Sequence, residues 1–143
     1  MLSVARTTHI NAPPERVWDA VVDVETWPRW ASYMKSLKRQ DSGPFGVGSR
    51  VRVTPRGLAA SVWEVTEFTP GRSYTWSTQL APGVRLTGGH VVEPDGGGTR
   101  ATFSLEASGA LAALATPVLG LVFRRNTHLA TDGLKAYCEG VSG

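Results

Sequence analysis

The sequence predicts an α+β fold in which antiparallel β-strands are followed by one long amphipathic helix. Alternating apolar and polar residues recur between positions 49 and 107, in short segments separated by Gly/Pro turns, and this pattern is typical of an antiparallel meander. From about residue 110 to residue 139 the apolar residues instead follow a helical period. The 143 residues contain no internal repeat or linker, so we expect a single domain over residues 1–143.

The N-terminal part of the chain predicts one strand and two short helices. Residues 2–10 alternate loosely and suit a strand, and a turn follows at residues 12–14. Prolines are tolerated in the first turn of a helix, and the next apolar residues recur at helical spacing: Val17, Trp18, Val21 and Val22. Pro28 indicates the end of a second short turn or helix that holds Trp27 and Trp30.

Six more strands are predicted, over residues 34–41, 49–54, 58–68, 73–80, 84–93 and 99–107. Where apolar and polar residues alternate clearly along a strand, the alternation predicts which side chains point inward. The residues predicted to share such sides are Val51 with Val53, Trp63 with Val65, Tyr74 with Trp76 and Thr78, Leu86 with Gly88, His90 and Val92, and Ala101 with Phe103 and Leu105.

A helix is predicted over about residues 110–139. It would reach almost 40 Å at about 1.5 Å per residue, enough to traverse the whole sheet. Pro117 is expected either to kink this helix or to mark its true start. One side of the helix is apolar and carries Leu119, Val122, Phe123, Ala130, Gly133, Leu134 and Tyr137.

Residues 10–30 also resemble a known family. Ile10, Ala12, Pro13, Val17, Trp18, Asp23, Trp27, Pro28 and Trp30 match the opening motif of the START-related, polyketide cyclase/dehydrase-like superfamily. Gly-Gly-Gly-Thr before the last strand and Gly-Leu-Lys near the end of the helix are similar to that family as well. The resemblance implies the helix-grip fold: a curved antiparallel sheet of about six to seven strands wraps around the C-terminal helix, and a ligand cavity lies between them.

Composition narrows the function classes. No apolar run reaches the length of a membrane span, and residues 1–9 lack the pattern of a secretory signal. Cys138 is the only cysteine, which excludes an internal disulfide and favours a cytoplasmic location. The net charge is +3, but the basic residues are dispersed, so a nucleic-acid partner is not expected. The oligomeric state stays open between monomer and homodimer.

No motif predicts a cofactor. The three histidines are scattered, and Cys138 has no nearby histidine pair, so no metal site is expected. The glycines of residues 43–48 lack the lysine of a phosphate-binding loop. Any chemistry would therefore come from polar side chains that face a bound ligand.

Three residues are candidates for that role, with no catalytic assignment fixed. Asn126 falls on the apolar side of the helix, where it needs either a protein partner or a wet or ligand-filled cavity. His90 should point inward, as a general acid or base or as a satisfied core histidine. Tyr33 follows the Trp30 cluster at the expected cavity mouth, where cyclases of the family often have a tyrosine.

Aromatic side chains are predicted to wall the cavity and to bind ligand together with these three residues. The set is Trp30, Trp63, Trp76, Phe103 and Phe123, and aromatic faces suit a flat hydrophobic ligand. The alternative is that the tryptophans only fill the core. Glu67 is expected either on the Trp63 face or in solvent. The family's cyclases place an arginine on the strand of Trp63, whereas this sequence has Glu67 and Thr69 there.

Three functions remain open at this point. The first is binding, with transport or sequestration, of a hydrophobic small molecule. The second is a cyclase, dehydratase or aromatase activity on an aromatic or polyketide substrate. The third is a protein or RNA interaction module, supported by the basic side chains of Arg50, Arg52 and Arg56.

Overall fold

The structure of the chain is a computed structural model that describes residues 2–140. Residues 2–140 form seven strands, two α-helices and one 3₁₀ helix. In chain order they are β1 (Leu2–Ile10), α1 (Pro14–Val22), the 3₁₀ helix (Val24–Arg29), β2 (Met34–Arg39), β3 (Arg50–Pro55), β4 (Ser61–Thr69), β5 (Ser73–Ala81), β6 (Val84–Asp95), β7 (Gly98–Ser108) and α2 (Ala112–Glu139).

The strands form one antiparallel sheet in the order β1-β7-β6-β5-β4-β3-β2. Consecutive strands pair from β2 to β7, and β1 pairs with β7 at the far edge. Register shifts interrupt β2 between Met34 and Ser36, β4 between Val65 and Glu67, and β5 between Gln79 and Ala81. Such bulges bend strands and increase their twist, and α2 packs on β1 and β7. The predicted helix-grip architecture is thus confirmed.

The structure moves one predicted strand boundary and decides between two pairs of alternatives that the sequence left open. Residues 58–60 precede β4 instead of starting it. Helix α2 begins at Ala112, so Pro117 lies inside the helix and does not mark its start. Both Thr66 and Glu67 are exposed, because the bulge after Val65 turns them away from the Trp63 side. Glu67 therefore belongs to the solvated surface.

The carbonyl of Val21 connects three parts of the core. It accepts a hydrogen bond from Trp27 Nε1 at 3.1 Å and another from the Tyr74 hydroxyl at 2.9 Å. Tyr74 is on β5 and Trp27 is in the 3₁₀ helix. The C-terminal end of α1 is thereby fixed to both, and a carbonyl that the helix itself leaves unpaired is satisfied.

The C-terminal half of α2 is firmly attached to the rest of the fold. Within residues 2–140, every hydrogen bond between α2 and another element involves residues 128–139 of the helix. The donors are Arg6 to the His128 carbonyl, Thr131 and Asp132, Asn11 N to Glu139, Arg16 to the Cys138 carbonyl, and Lys135 to the His9 carbonyl. Gly140 then ends the helix with a left-handed φ of 73°.

Gly133 allows the closest approach between α2 and the N-terminal half of the chain. A Cβ atom at this position would overlap the carbonyl oxygen of Trp30. A glycine inside a helix ordinarily lowers helix stability by about 1 kcal/mol relative to alanine. We attribute the glycine at this position to the close packing of α2 against Trp30.

Gly133→Ala is expected to lower the free energy of unfolding by about 1–3 kcal/mol, the usual cost of overpacking. Gly120→Ala is the matched control on the same helix, because only Leu2 Cδ1, at 4.0 Å, would touch the new Cβ. It should raise stability by about 0.5–1 kcal/mol. Urea unfolding followed by circular dichroism measures both values. Equal stabilisation by the two substitutions would contradict the close-packing interpretation.

Candidate functional site

A cavity of about 390 Å³ lies between the concave face of the sheet and the middle of α2, residues 119–130. Its sheet side is built from inward residues of β3 to β7, and its helix side from α2. The helix contributes Leu119, Val122, Phe123, Asn126, Thr127 and Ala130. No Asp, Glu, Lys or Arg is among the described residues that line this cavity. An enclosed space of this size with mostly apolar walls is typical of a small-molecule site.

An aromatic cluster forms the inner end of the cavity, and His90 lies at its centre. The His90 ring stacks on Tyr74 with centroids 4.3 Å apart. It meets Phe103, Trp76 and Trp27 edge-on at 5.0, 5.4 and 5.5 Å. These contacts fix the orientation of the imidazole, because a buried planar ring held by four neighbours has little rotational freedom.

The hydrogen bonding of His90 assigns its neutral tautomer. Nδ1 lies 3.1 Å from the Tyr74 carbonyl oxygen, which only accepts, so Nδ1 carries the proton. Burial lowers the pKa of His90 to about 4, although the bond to the Tyr74 carbonyl acts in the opposite direction. At neutral pH the ring is therefore uncharged, and Nε2 presents a lone pair.

Several polar groups on the cavity wall have no hydrogen-bond partner among residues 2–140. They include His90 Nε2, the Tyr33 hydroxyl, the Asn126 side-chain amide, Trp76 Nε1 and Ser104 Oγ. None is among the fully buried, unpartnered atoms of that region, which are Trp30 Nε1 and Arg39 Nε, and all of these residues line the cavity. Burial also raises the pKa of Tyr33 well above its usual value, so its hydroxyl stays protonated as a donor.

The cavity reaches the surface beside the turn between β3 and β4. A shallow surface depression shares Tyr33, Pro55, Leu58, Val122 and Asn126 with the cavity. Arg56 and Arg125 lie on the same depression, on opposite sides of it in the fold. We refer to this opening as the mouth.

Seven of the eight residues predicted to bind ligand line the cavity: Tyr33, Trp63, Trp76, His90, Phe103, Phe123 and Asn126. Trp30 is the exception. It is buried behind Trp27, with ring centroids 5.1 Å apart, and Trp27 takes the wall position. Trp30 directly follows the 3₁₀ helix, which has about three residues per turn, so its side chain projects from nearly the same side as Trp27, and only Trp27 reaches the cavity. Contact with a ligand stays a prediction for the other seven.

Sequence reasoning missed the part played by Gly88. A Cβ at Gly88 would lie 2.9 Å from Trp76 Nε1, so the glycine makes room for the indole that lines the cavity. A glycine inside a strand often marks such a close approach, and the Gly88-Gly89 pair was the available signal.

Cys138 and the acidic residues take no part in the cavity. Cys138 is buried, and desolvation raises the pKa of its thiol to about 11, which keeps it in the poorly nucleophilic thiol form. Within residues 2–140, no group of three or more His, Cys, Asp and Glu side chains is arranged to hold a metal ion.

The fold and the enclosed cavity define a START-like protein of the helix-grip class. A family model described as "Polyketide cyclase / dehydrase and lipid transport" matches residues 1–139. The chain therefore belongs to this family. A comparison with curated proteins found no significant match.

Solved structures are similar to this chain over nearly its whole length. A START superfamily protein from Mycobacterium smegmatis has a TM-score of 0.79 at 17% identity, and the match covers 97% of this chain and 98% of that one. TTHA0849 from Thermus thermophilus has a TM-score of 0.77 at 21% identity, covering 99% and 100%. The di-domain ARO/CYC BexL from the BE-7585A biosynthetic pathway has 0.78 at 17%, covering 96% and 50%. At these identities the likeness shows the fold.

The lowered pKa of His90 predicts a specific loss of stability in mild acid. Because protonation favours the unfolded state, stability is present above the ordinary histidine pKa of 6.5 and is lost as pH falls from there towards 4. Between pH 7 and pH 5 the wild type should lose about 2 kcal/mol from this residue.

Urea unfolding of the wild type and His90→Phe at both pH values measures this loss. His90→Phe should not show the part of the pH-dependent loss of unfolding free energy that comes from His90. His128→Gln, on the exposed side of α2, is the control and should lose stability with pH as the wild type does. An unchanged pH dependence in His90→Phe would contradict the assignment of a neutral, buried imidazole.

Proposed function

We propose that this protein binds a flat, hydrophobic small molecule that carries at least one hydroxyl or similar hydrogen-bond donor. The observation that supports this most directly is the cavity itself. Its walls are apolar and aromatic, and several polar groups face it without a protein partner among residues 2–140. Buried polar groups are normally satisfied, so a ligand or water must supply the missing partners.

The polar groups also limit which ligand fits. His90 Nε2 accepts and cannot donate in the neutral tautomer, so a hydroxyl at the inner end of the cavity matches it. Tyr33 donates from the mouth side and suits a carbonyl or ether oxygen. Since no charged side chain lines the cavity, an ionised group would be costly there. The proposed ligand is therefore a neutral aromatic or polycyclic compound with separated polar atoms.

An enzymatic function of the cyclase or dehydratase type is the second candidate. It is favoured by the free lone pair of His90 Nε2, which faces the same cavity as Tyr33 and Asn126. A general base works best with a pKa near the working pH, and a pKa of about 4 makes His90 a weak base. The geometry therefore supports binding more strongly than proton abstraction.

Cavity binding is tested with Leu119→Trp, which places a larger side chain on the helix wall of the cavity. 2-Hydroxyfluorene and fluorene are suitable probes, because the quenching of Trp63 and Trp76 reports their entry. Leu119→Trp should weaken the binding of both compounds by about tenfold or more, since it removes volume that the ligand fills. Val47→Trp, at an exposed position outside the cavity lining, should bind like the wild type. Absence of binding to the wild type, or equal binding by Leu119→Trp, would contradict the proposal.

The contact with His90 is tested separately with His90→Phe. The variant should bind 2-hydroxyfluorene about three- to tenfold more weakly, the size of one hydrogen bond, and should bind fluorene about as the wild type does. Fluorescence titration at pH 7 gives both dissociation constants. If the two compounds lost affinity equally, the change would come from shape, and the hydrogen bond to Nε2 would be refuted.

A further inference from the structure

Large apolar side chains are exposed beside the mouth of the cavity, at Leu58 and Leu121, and along the neighbouring surface of α2. On the outer side of α2, Leu114, Val118 and Leu121 are 81%, 68% and 70% exposed, and Leu58 in the β3–β4 turn is 63% exposed. Leu80, near the end of β5, and Leu111, just before α2, are about half exposed. We call these six residues the apolar rim.

The first half of α2 is apolar on both of its sides. Residues 110–123 contain no charged side chain. Leu119 and Phe123 face the cavity, whereas Leu114, Val118 and Leu121 follow one another by four and three residues on the opposite, exposed side. A helix that is apolar all round is normally covered on all sides. Within the described chain, nothing covers the outer side.

The charges within the segments that form the apolar rim are all positive. These segments, residues 55–63, 77–87 and 107–127, contain no Asp or Glu. Glu64 shares a surface depression with Leu80, and it forms an ion pair with Arg50 at 3.8 Å. Arg56, Arg124 and Arg125 are exposed there. In the part of the chain that the structure describes, none of these three arginines forms an ion pair, although six ion pairs occur elsewhere.

We propose that the apolar rim and these three arginines dock on the surface of an anionic lipid bilayer. Leucine and valine side chains would enter the boundary between head groups and acyl chains, and the guanidinium groups would meet lipid phosphates. This inference rests on the proposed function, because a mouth turned towards the bilayer lets a hydrophobic ligand pass between membrane and cavity without crossing water.

The length of the apolar segment fits surface docking. Twelve helical residues, 112–123, span about 18 Å, well short of the roughly 30 Å of a hydrocarbon core. No helix among residues 2–140 is long and apolar enough to cross a membrane. The segment would therefore lie along the interface.

A second copy of the chain fits this surface less well. The 3- and 4-residue spacing of Leu111, Leu114, Val118 and Leu121 also suits helix–helix packing. A copy would, however, bring the same apolar residues and arginines, and Glu64, the acid beside Leu80, is already paired with Arg50. The arginines would stay unpaired, whereas an anionic head-group layer supplies both an apolar phase and counter-charges.

Vesicle co-sedimentation tests the proposal with the full chain. The wild type should bind phosphatidylcholine vesicles that contain about 30% phosphatidylglycerol. Its partition coefficient for pure phosphatidylcholine vesicles should be lower by about tenfold or more. Arg124→Gln/Arg125→Gln and Leu114→Asn/Val118→Asn should each lower the partition coefficient by about tenfold or more. Arg72→Gln and Val47→Asn, exposed positions away from the rim, are the matched charge and apolar controls and should bind like the wild type.

The outcomes separate this inference from the function on which it rests. Leu119→Trp, which blocks the cavity, should keep full vesicle binding. Wild type that binds 2-hydroxyfluorene but not anionic vesicles would overturn membrane docking and leave ligand binding standing. Equal binding to both vesicle types, or equal loss in the control variants, would also overturn it. So would a dimer, seen by analytical ultracentrifugation, that Leu114→Asn/Val118→Asn dissociates, since a second copy would then cover the rim.

Discussion

The close packing of the C-terminal half of α2 determines the shape of the whole molecule. Gly133 brings the helix onto the Trp30 carbonyl, and the buried Thr131 accepts a hydrogen bond from Arg6 of β1. The polar contacts of α2 with β1 lie in the same half. A rigid helix held closely at one end and carrying larger side chains at the other stands away from a curved sheet. The cavity is the space that this arrangement leaves.

The same constraint explains why the cavity has a rigid inner end and an open outer end. Near the closely packed half, Trp27, Tyr74, Trp76 and Phe103 surround His90, and the Val21 carbonyl holds two of these rings through hydrogen bonds. On the other side of the cavity, the turn at residues 56–58 and residues 121–126 of α2 form the mouth. Orientation of a ligand is therefore a property of the inner end, and access is a property of the outer end.

Much of this arrangement followed from the sequence, and the remainder depends on geometry. Strand alternation placed His90, Trp76 and Phe103 inward, because a strand has a strict period of two. The sequence predicted Trp30 on the cavity wall, where the structure has Trp27. The residue pattern does not show that a 3₁₀ helix forms here and sets the directions of the two side chains. It left the side of Glu67 open, because a bulge in β4 is not encoded in the alternation. The sequence also did not predict the volume of the cavity, because that volume depends on the distance between α2 and the sheet.

The first half of α2 is stabilised by less of the fold than the second half. Pro117 removes one backbone donor within it, no side chain caps its N-terminus, and no hydrogen bond joins residues 112–127 to the sheet in the described chain. The stability of this helical segment therefore depends on what packs against its two apolar sides. Under the two proposals, a ligand would cover the inner side and a bilayer the outer side. Each would stabilise the same helical segment, so the two binding events would be linked, and the bilayer would change ligand affinity by the same factor as the ligand changes bilayer affinity.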